Sequence, residues 1–201
     1  MIIFYLALGV IMTQTLKNLA KAFVGESEAR NRYTFFAKVA KKEGFETISE
    51  VFLLTAVNEQ EHAKWLMRMI NEIKKDDEAV NIETEVPTIF GDTVTNLKSA
   101  IAGEDYETNT MYPEFADIAD EEGFPDIAKR LRAIAKAELH HENRFKKLLE
   151  QIENNSMFKK TNKVYWMCKK CGYLEEAEEA PEKCPSCDHP QAYFEPQCEE
   201  Y

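Results

Sequence analysis

The chain contains an internal duplication. Aligned at an offset of 79, Tyr33, Phe36, Ala37, Ala40, Glu43, Gly44 and Phe45 match Tyr112, Phe115, Ala116, Ala119, Glu122, Gly123 and Phe124. The match continues with Ile48, Ala56, Glu59 and His62 against Ile127, Ala135, Glu138 and His141. Within each copy the apolar residues recur at helical spacing, as in Leu16, Leu19, Ala20, Phe23, Ala29, Tyr33, Phe36, Ala37 and Ala40. Gly44 and Gly123 stand where a helix ends, and Pro125 stands where the next begins. The pattern predicts helices over about 14–42, 47–75, 93–122 and 125–153, with Thr93 as the cap of the third. The polar stretch 76–92, with Pro87 and Gly91, is the connection between two hairpins built alike. A four-helix bundle with a pseudo-two-fold axis and a long crossover follows.

The repeat has one fault. Gly25-Glu26 matches Gly103-Glu104 at an offset of 78, so one extra residue lies between Glu104 and Tyr112, just before Pro113. An inserted residue that leaves both flanks helical must be absorbed as a π-bulge or kink. Such an irregular turn is expected near residues 104–113.

Each half offers the same metal-ligand candidates: Glu26, Glu59 and His62 in the first, Glu104, Glu138 and His141 in the second. Glu59 and His62 are three residues apart, as are Glu138 and His141, so each pair shares a helix face. Glu107 falls on the face of Glu104, one turn on. The neighbours Ala22, Phe23, Ala29, Ala56, Ala63 and Leu66 mark these faces as inward. Carboxylates on an inward stripe are costly unless paired or metal-bound. One Glu from each of two helices and a Glu-x-x-His from each of the others is the donor set of di-iron and di-manganese bundles. Oxygen-rich ligation with one imidazole per ion suits iron or manganese. Tyr33 and Tyr112, seven and eight residues beyond Glu26 and Glu104, are placed either to pack in the core or to hydrogen-bond the site. His140 and Glu61 read as its structural neighbours.

After Asn154-Asn155-Ser156 the composition changes. All five cysteines lie beyond residue 167, four of them as Cys168-x-x-Cys171 and Cys184-x-x-Cys187. Two such knuckles bring four thiolates to one tetrahedral ion, iron or zinc. A module this small depends on its metal to fold. Cys198 stands outside the pattern as a free thiol. The expected organisation is an apolar N-terminal extension (1–12), a di-metal four-helix bundle (13–155) and a metal-bound β-rich module (156–201). A net charge of −11 removes any electrostatic reason to bind nucleic acid. Residues 1–12 carry no charge but are shorter than the roughly 18 apolar residues that span a bilayer. They also lack the basic start of a signal peptide, and the helical pattern begins right after Met12, so translation is expected to begin there and no membrane partner is expected; a short membrane or partner-binding segment is the alternative.

Five motifs together resemble the rubrerythrins: Gly25-Glu26-x-x-Ala29-x-x-Arg32-Tyr33, Glu59-x-x-His62, Gly103-Glu104-x-x-Glu107 with Met111-Tyr112-Pro113, Glu138-x-x-His141, and the two cysteine knuckles. The resemblance covers about 13–195. It implies a mainly α protein, a ferritin-like four-helix bundle with a di-iron site followed by a small rubredoxin-like, β-rich domain with one iron. It implies that Glu59 and Glu138 bridge the irons and that Glu26, Glu104 and Glu107 are terminal carboxylates. His141 would sit on one iron, while Glu107 and His62 alternate on the other with redox state. It further implies a cytoplasmic homodimer that reduces hydrogen peroxide to water, fed by rubredoxin or an NADH-dependent reductase. A ferroxidase or iron store of the ferritin type is the rival reading. The cysteine module argues against it, since storage needs no one-electron relay.

Overall fold

The structure is a computed structural model that describes residues 13–75 and 77–198. The expected extension 1–12 lies outside the described residues. Five α-helices precede a three-stranded sheet: α1 (Gln14–Lys42), α2 (Glu46–Ile73), α3 (Thr93–Tyr106), α4 (Tyr112–Glu121) and α5 (Pro125–Glu153). A π-helical turn, Glu107–Met111, joins α3 to α4. The inserted residue is therefore absorbed within the predicted stretch, and α3, the π turn and α4 together form the third rod of the bundle.

The helix ends follow from local chemistry. Thr13 caps α1 by accepting from the Leu16 N–H at 3.2 Å. Both hairpin turns are alike: the Phe45 N–H donates to the Ala40 carbonyl at 2.9 Å, and the Phe124 N–H to that of Ala119 at 2.7 Å. Gly44 (φ +85°) and Gly123 (φ +86°) hold the left-handed residue these turns need. The cap of α3 is Asp92, not Thr93: Asp92 Oδ1 accepts from the Thr95 N–H at 2.8 Å. Thr93 is the first helical residue, and its N–H and hydroxyl both donate to Glu43 Oε2, at 2.9 and 2.5 Å. Glu122 does the same for α1, accepting from the Gln14 and Thr15 N–H groups at 2.9 and 2.7 Å. The repeated Glu-Gly-Phe thus ends one helix and satisfies orphan donors at the start of another, across the pseudo-two-fold.

Two apolar clusters fill the bundle. One gathers Leu19, Leu66, Tyr112, Leu131 and Ile134 toward one end. The other gathers Phe36, Phe52, Leu97, Phe145 and Leu148 toward the opposite end. Glu26, Glu59, Glu104 and Glu138 lie in the sequence intervals between the two and are at most 1% exposed. The second cluster includes Met157 and is joined by Phe158, which stacks on Phe45 with ring centroids 6.5 Å apart and couples the C-terminal module to the bundle.

That module is built on β1 (Lys159–Cys168), β2 (Leu174–Glu179) and β3 (Phe194–Pro196), ordered β2-β1-β3 and antiparallel. Its core is Trp166, Phe194 and Ala180 with Cys168 and Cys184. The buried Trp166 indole donates to the Ala177 carbonyl at 3.1 Å, so its polar edge is satisfied. Among the described residues no helix is long and apolar enough to cross a membrane.

Candidate metal centres

The bundle's inward carboxylates converge as two four-residue sets, Glu26, Glu59, His62 and Glu138, and Glu59, Glu104, Glu138 and His141. Within each set one ligand atom per residue lies within 4.8 Å of the others. Glu59 and Glu138 belong to both. Their two oxygens are divided between the histidines. His62 Nδ1 lies 3.0 Å from Glu59 Oε2 and 2.8 Å from Glu138 Oε1. His141 Nδ1 lies 3.2 Å from Glu59 Oε1 and 2.8 Å from Glu138 Oε2. Glu26 Oε2 is 3.7 Å from His62 Nδ1, and Glu104 Oε2 is 3.6 Å from His141 Nδ1.

Glu26 and Glu104 each have the other oxygen occupied. Tyr33 donates to Glu104 Oε1 at 2.5 Å, and Tyr112 donates to Glu26 Oε1. Each tyrosine therefore serves the carboxylate of the opposite half. Burial, and then the charges of Glu104 and Glu26 respectively, raise both phenols well above the usual tyrosine range, so they remain donors.

The remaining atoms show what the site lacks. Glu26 Oε2, Glu59 Oε1, Glu104 Oε2, both Glu138 oxygens and His141 Nδ1 are buried with no hydrogen bond aligned on them. Buried polar atoms are ordinarily paired, and these point at common centres. Electrostatics agrees. Burial, reinforced by Glu138, pushes the Glu26 carboxyl far up. Burial raises Glu104 to about 8 despite the nearby His141 ring. Burial also raises Glu107, helped by Glu26 and Glu104. Burial alone would lower His141, but the surrounding carboxylates of Glu104, Glu138 and Glu59 carry it to about 11, and His62 rises by the same kind of cause. Only Glu59 among these carboxyls moves down, because the two histidines outweigh its burial. Without cations the site must hold extra protons; two multivalent ions would replace them.

Glu107 joins neither four-residue set. Its Oε1 would lie 3.9 Å from a Cβ placed on Gly25, next to Glu26, so it approaches the first half of the site from the π turn. His140 is exposed, with its ring centroid 6.4 Å from that of His141. Glu61 is exposed and pairs with Lys64, away from the ligands. Arg144 was not anticipated. It lies one turn beyond His141, donates to Thr55 Oγ1 at 2.6 Å, and is drawn electrostatically to Glu104 and Glu59. Helical spacing from His141 could have found it.

The second centre is the cysteine cluster. Cys168 Sγ lies 3.7 Å from Cys187 Sγ, and Cys171 Sγ lies 3.7 Å from Cys184 Sγ. A disulfide needs about 2.05 Å. A tetrahedron of sulfurs about 2.3 Å from a central ion has edges of about 3.8 Å, which is what the thiols adopt. Gly172 (φ +74°) and Asp188 (φ +61°) follow the second cysteine of each pair and close the knuckles. Their N–H groups return to the Cys168 and Cys184 carbonyls at 2.8 and 2.9 Å. The Tyr173 N–H pulls Cys171 down to about 6; at Cys187 the His189 N–H pulls the same way, but burial and the neighbouring thiols together outweigh it and push the thiol up to about 12. Four thiolates cannot charge together without a cation. Cys198 is a free, exposed thiol apart from the cluster.

Fold and sites define a ferritin-like di-metal carboxylate bundle that carries a rubredoxin-like module. The chain belongs to the rubrerythrin family: the rubrerythrin profile matches residues 17–149, and the rubrerythrin rubredoxin-like domain matches 166–195. It is 52% identical to the rubrerythrin of Clostridium perfringens over 187 residues, spanning 91% of this chain and 94% of that one. It is 50% identical to rubrerythrin-1 of Clostridium acetobutylicum, spanning 94% and 97%. Among solved structures it matches fully reduced, all-ferrous nigerythrin with a TM-score of 0.60 and 30% identity, covering 94% of this chain and 91% of that one. The family binds iron, so the bundle is the site of a di-iron centre and the four cysteines that of a single rubredoxin-type iron.

Proposed function

We propose that the protein reduces hydrogen peroxide to water at the bundle site, with electrons delivered through the tetra-cysteine iron. The observation that carries this reading is the coexistence, in one chain, of two four-residue sets sharing Glu59 and Glu138 and a four-thiol site of tetrahedral dimensions. The first suits a two-electron reaction at paired ions, and the second suits one-electron supply.

Glu59 and Glu138 would bridge the irons. Glu26 and Glu104 would hold one each, with His62 and His141 completing the sets. The irons would supply the two electrons and the Lewis acidity that cleavage of the O–O bond requires. The reaction also consumes two protons and yields two waters, and proton supply falls to the protein. Glu107 and the phenols of Tyr33 and Tyr112 are the acids placed to provide it. Tyr33 and Tyr112 also fix the orientation of Glu104 and Glu26, leaving one oxygen of each free for metal. His62 completes the first set here and Glu107 stands beside Gly25, and the two would alternate as ligands on that side. The two apolar clusters keep bulk water from the rest of the site. Residues 13–155 would thus form the catalytic unit and 156–201 the relay, in a cytoplasmic homodimer supplied by rubredoxin or an NADH-dependent reductase.

Peroxide consumption by the iron-loaded protein, with a reductase and rubredoxin as donor, tests the reading. One peroxide should disappear for every two electrons supplied. Oxidation of added ferrous iron by dioxygen with retention of the product, and no peroxide turnover, would instead establish an iron-handling protein.

A further inference from the structure

Lys169 sits inside the first knuckle, between Cys168 and Cys171, yet its side chain also reaches the bundle. Its ammonium reaches Glu50 on α2, Glu195 Oε2 at 3.0 Å and Thr47 Oγ1 at 3.3 Å. Thr47 in turn donates to Glu195 Oε2 at 3.2 Å. All three ammonium donors are thus engaged, and the side chain is only 12% exposed. A lysine ordered this way forfeits rotamer freedom that a surface lysine keeps, so its geometry is held by the surrounding contacts. The Lys169 N–H, donating to the Tyr193 carbonyl at 2.9 Å, ties the same residue to the module's far strand connection. Thr47 and Glu50 belong to the start of α2, the helix that carries Glu59 and His62 farther along. Nine residues separate Glu50 from Glu59, which is about 14 Å along a helix axis.

We propose that Lys169 is a positioning residue that docks the one-iron module onto the bundle of its own chain, and that Glu50 of the bundle thereby lowers the reduction potential of that iron. Accepting one electron takes the iron from ferric to ferrous and adds one negative charge to the thiolate site. A nearby cation favours that change and a nearby anion opposes it. Lys169 raises the potential from within the knuckle. Glu50, brought to the knuckle only by docking, offsets it from the bundle. The junction is therefore an electrostatic contact between relay and catalytic unit. The inference rests on iron at the four cysteines and not on peroxide chemistry.

The test is an anaerobic redox titration of the full-length, iron-loaded protein, followed by the visible absorbance of the ferric–thiolate site. Glu50→Gln should raise the potential, so that at a fixed ambient potential the ferrous-to-ferric ratio increases roughly threefold or more. Lys169→Gln, which removes the cation together with the docking that brings Glu50, should also shift the ratio, and Lys169→Arg should keep the native value. A Glu50→Gln potential equal to that of the native protein would overturn the proposal, because the module would then not feel the bundle. Equal shifts in Lys169→Gln and Lys169→Arg would also overturn it, since shape rather than charge would be at work. If Lys169→Gln fails to load iron, Glu50→Gln decides alone, because Glu50 lies on the bundle with half its side chain exposed. A potential shift in a protein inactive toward peroxide leaves the inference standing and removes only the catalytic reading.

Discussion

The two helical hairpins present the same ligands on the same turns and differ in what surrounds them. In the first, α1 is unbroken, His62 is 15% exposed at its side chain, and Trp65 follows one turn later with the guanidinium groups of Arg68 and Arg130 against its ring. In the second, the rod contains the π turn that carries Glu107, His141 is 4% exposed, and the position matching Trp65 is the half-buried Arg144. Duplication supplies a symmetric frame in which each half's tyrosine serves the other half's carboxylate. The single inserted residue breaks that symmetry and directs a further carboxylate to the first half, beside Gly25. The half with the less buried histidine is also the half approached by Glu107. On the proposed reading, exchange of ligands and access of a small reactant would fall on that side.

The strongest perturbation removes what the halves share. Glu138→Ala takes a ligand from both sets at once, so the bundle should lose its di-iron centre and peroxide turnover should fall about a thousandfold or more. Iron at the cysteines should remain, as metal analysis would show. Deleting Asn109 from the π turn should make the second hairpin follow the first. Glu107 should leave the site, and turnover should drop roughly ten- to a hundredfold with di-iron stoichiometry retained. An unchanged rate would show that the extra carboxylate is dispensable.

Removing the metal tests the electrostatics. Glu26, Glu104 and Glu107 have carboxyls raised by burial, with Glu104 at about 8. Such groups stabilise the fold below their unfolded values, and that stability is lost as pH rises through the folded ones. The raised histidines have the same sign, contributing fully below about 6.5 and losing their contribution as pH climbs toward about 11 for His141. Glu59, lowered, acts oppositely only toward acid. The metal-free bundle should therefore melt several degrees higher near pH 6 than near pH 9, as thermal unfolding by circular dichroism would show. Metal affinity should run the other way, since binding displaces protons. The smallest effect is expected from Tyr112→Phe, which leaves one Glu26 oxygen without its donor. It should cost about 1–3 kcal/mol of stability and slow turnover by less than about tenfold.

Much of this site was legible because duplication turns a weak motif into a strong one. A lone Glu-x-x-His is uninformative, but two copies at matching places, each with a partner glutamate, leave little else to propose. The π turn was legible for the same reason, since a change of offset from 79 to 78 locates an insertion between fixed points. The cap of α3 was misplaced by one residue because Asp92 and Thr93 are both good capping residues. Tertiary contact decided it, for Thr93 is taken up by Glu43 across the bundle. That role of Glu43 and Glu122 lay in the repeated Glu-Gly-Phe, but a sequence shows the helix end and not the partner it reaches. Lys169 was invisible for a related reason: Thr47 and Lys169 are 122 residues apart, and no periodicity relates them.

The most direct test of the account is a single turnover. The iron-loaded protein is reduced anaerobically and mixed with one equivalent of peroxide, while the visible absorbance of the iron–thiolate site is followed in stopped flow. The account predicts rapid return of the ferric–thiolate colour in the native protein and no rapid return in Glu138→Ala. A return equally fast in Glu138→Ala, or none in the native protein, would contradict the claim that the bundle reduces peroxide with electrons drawn from the cysteine site.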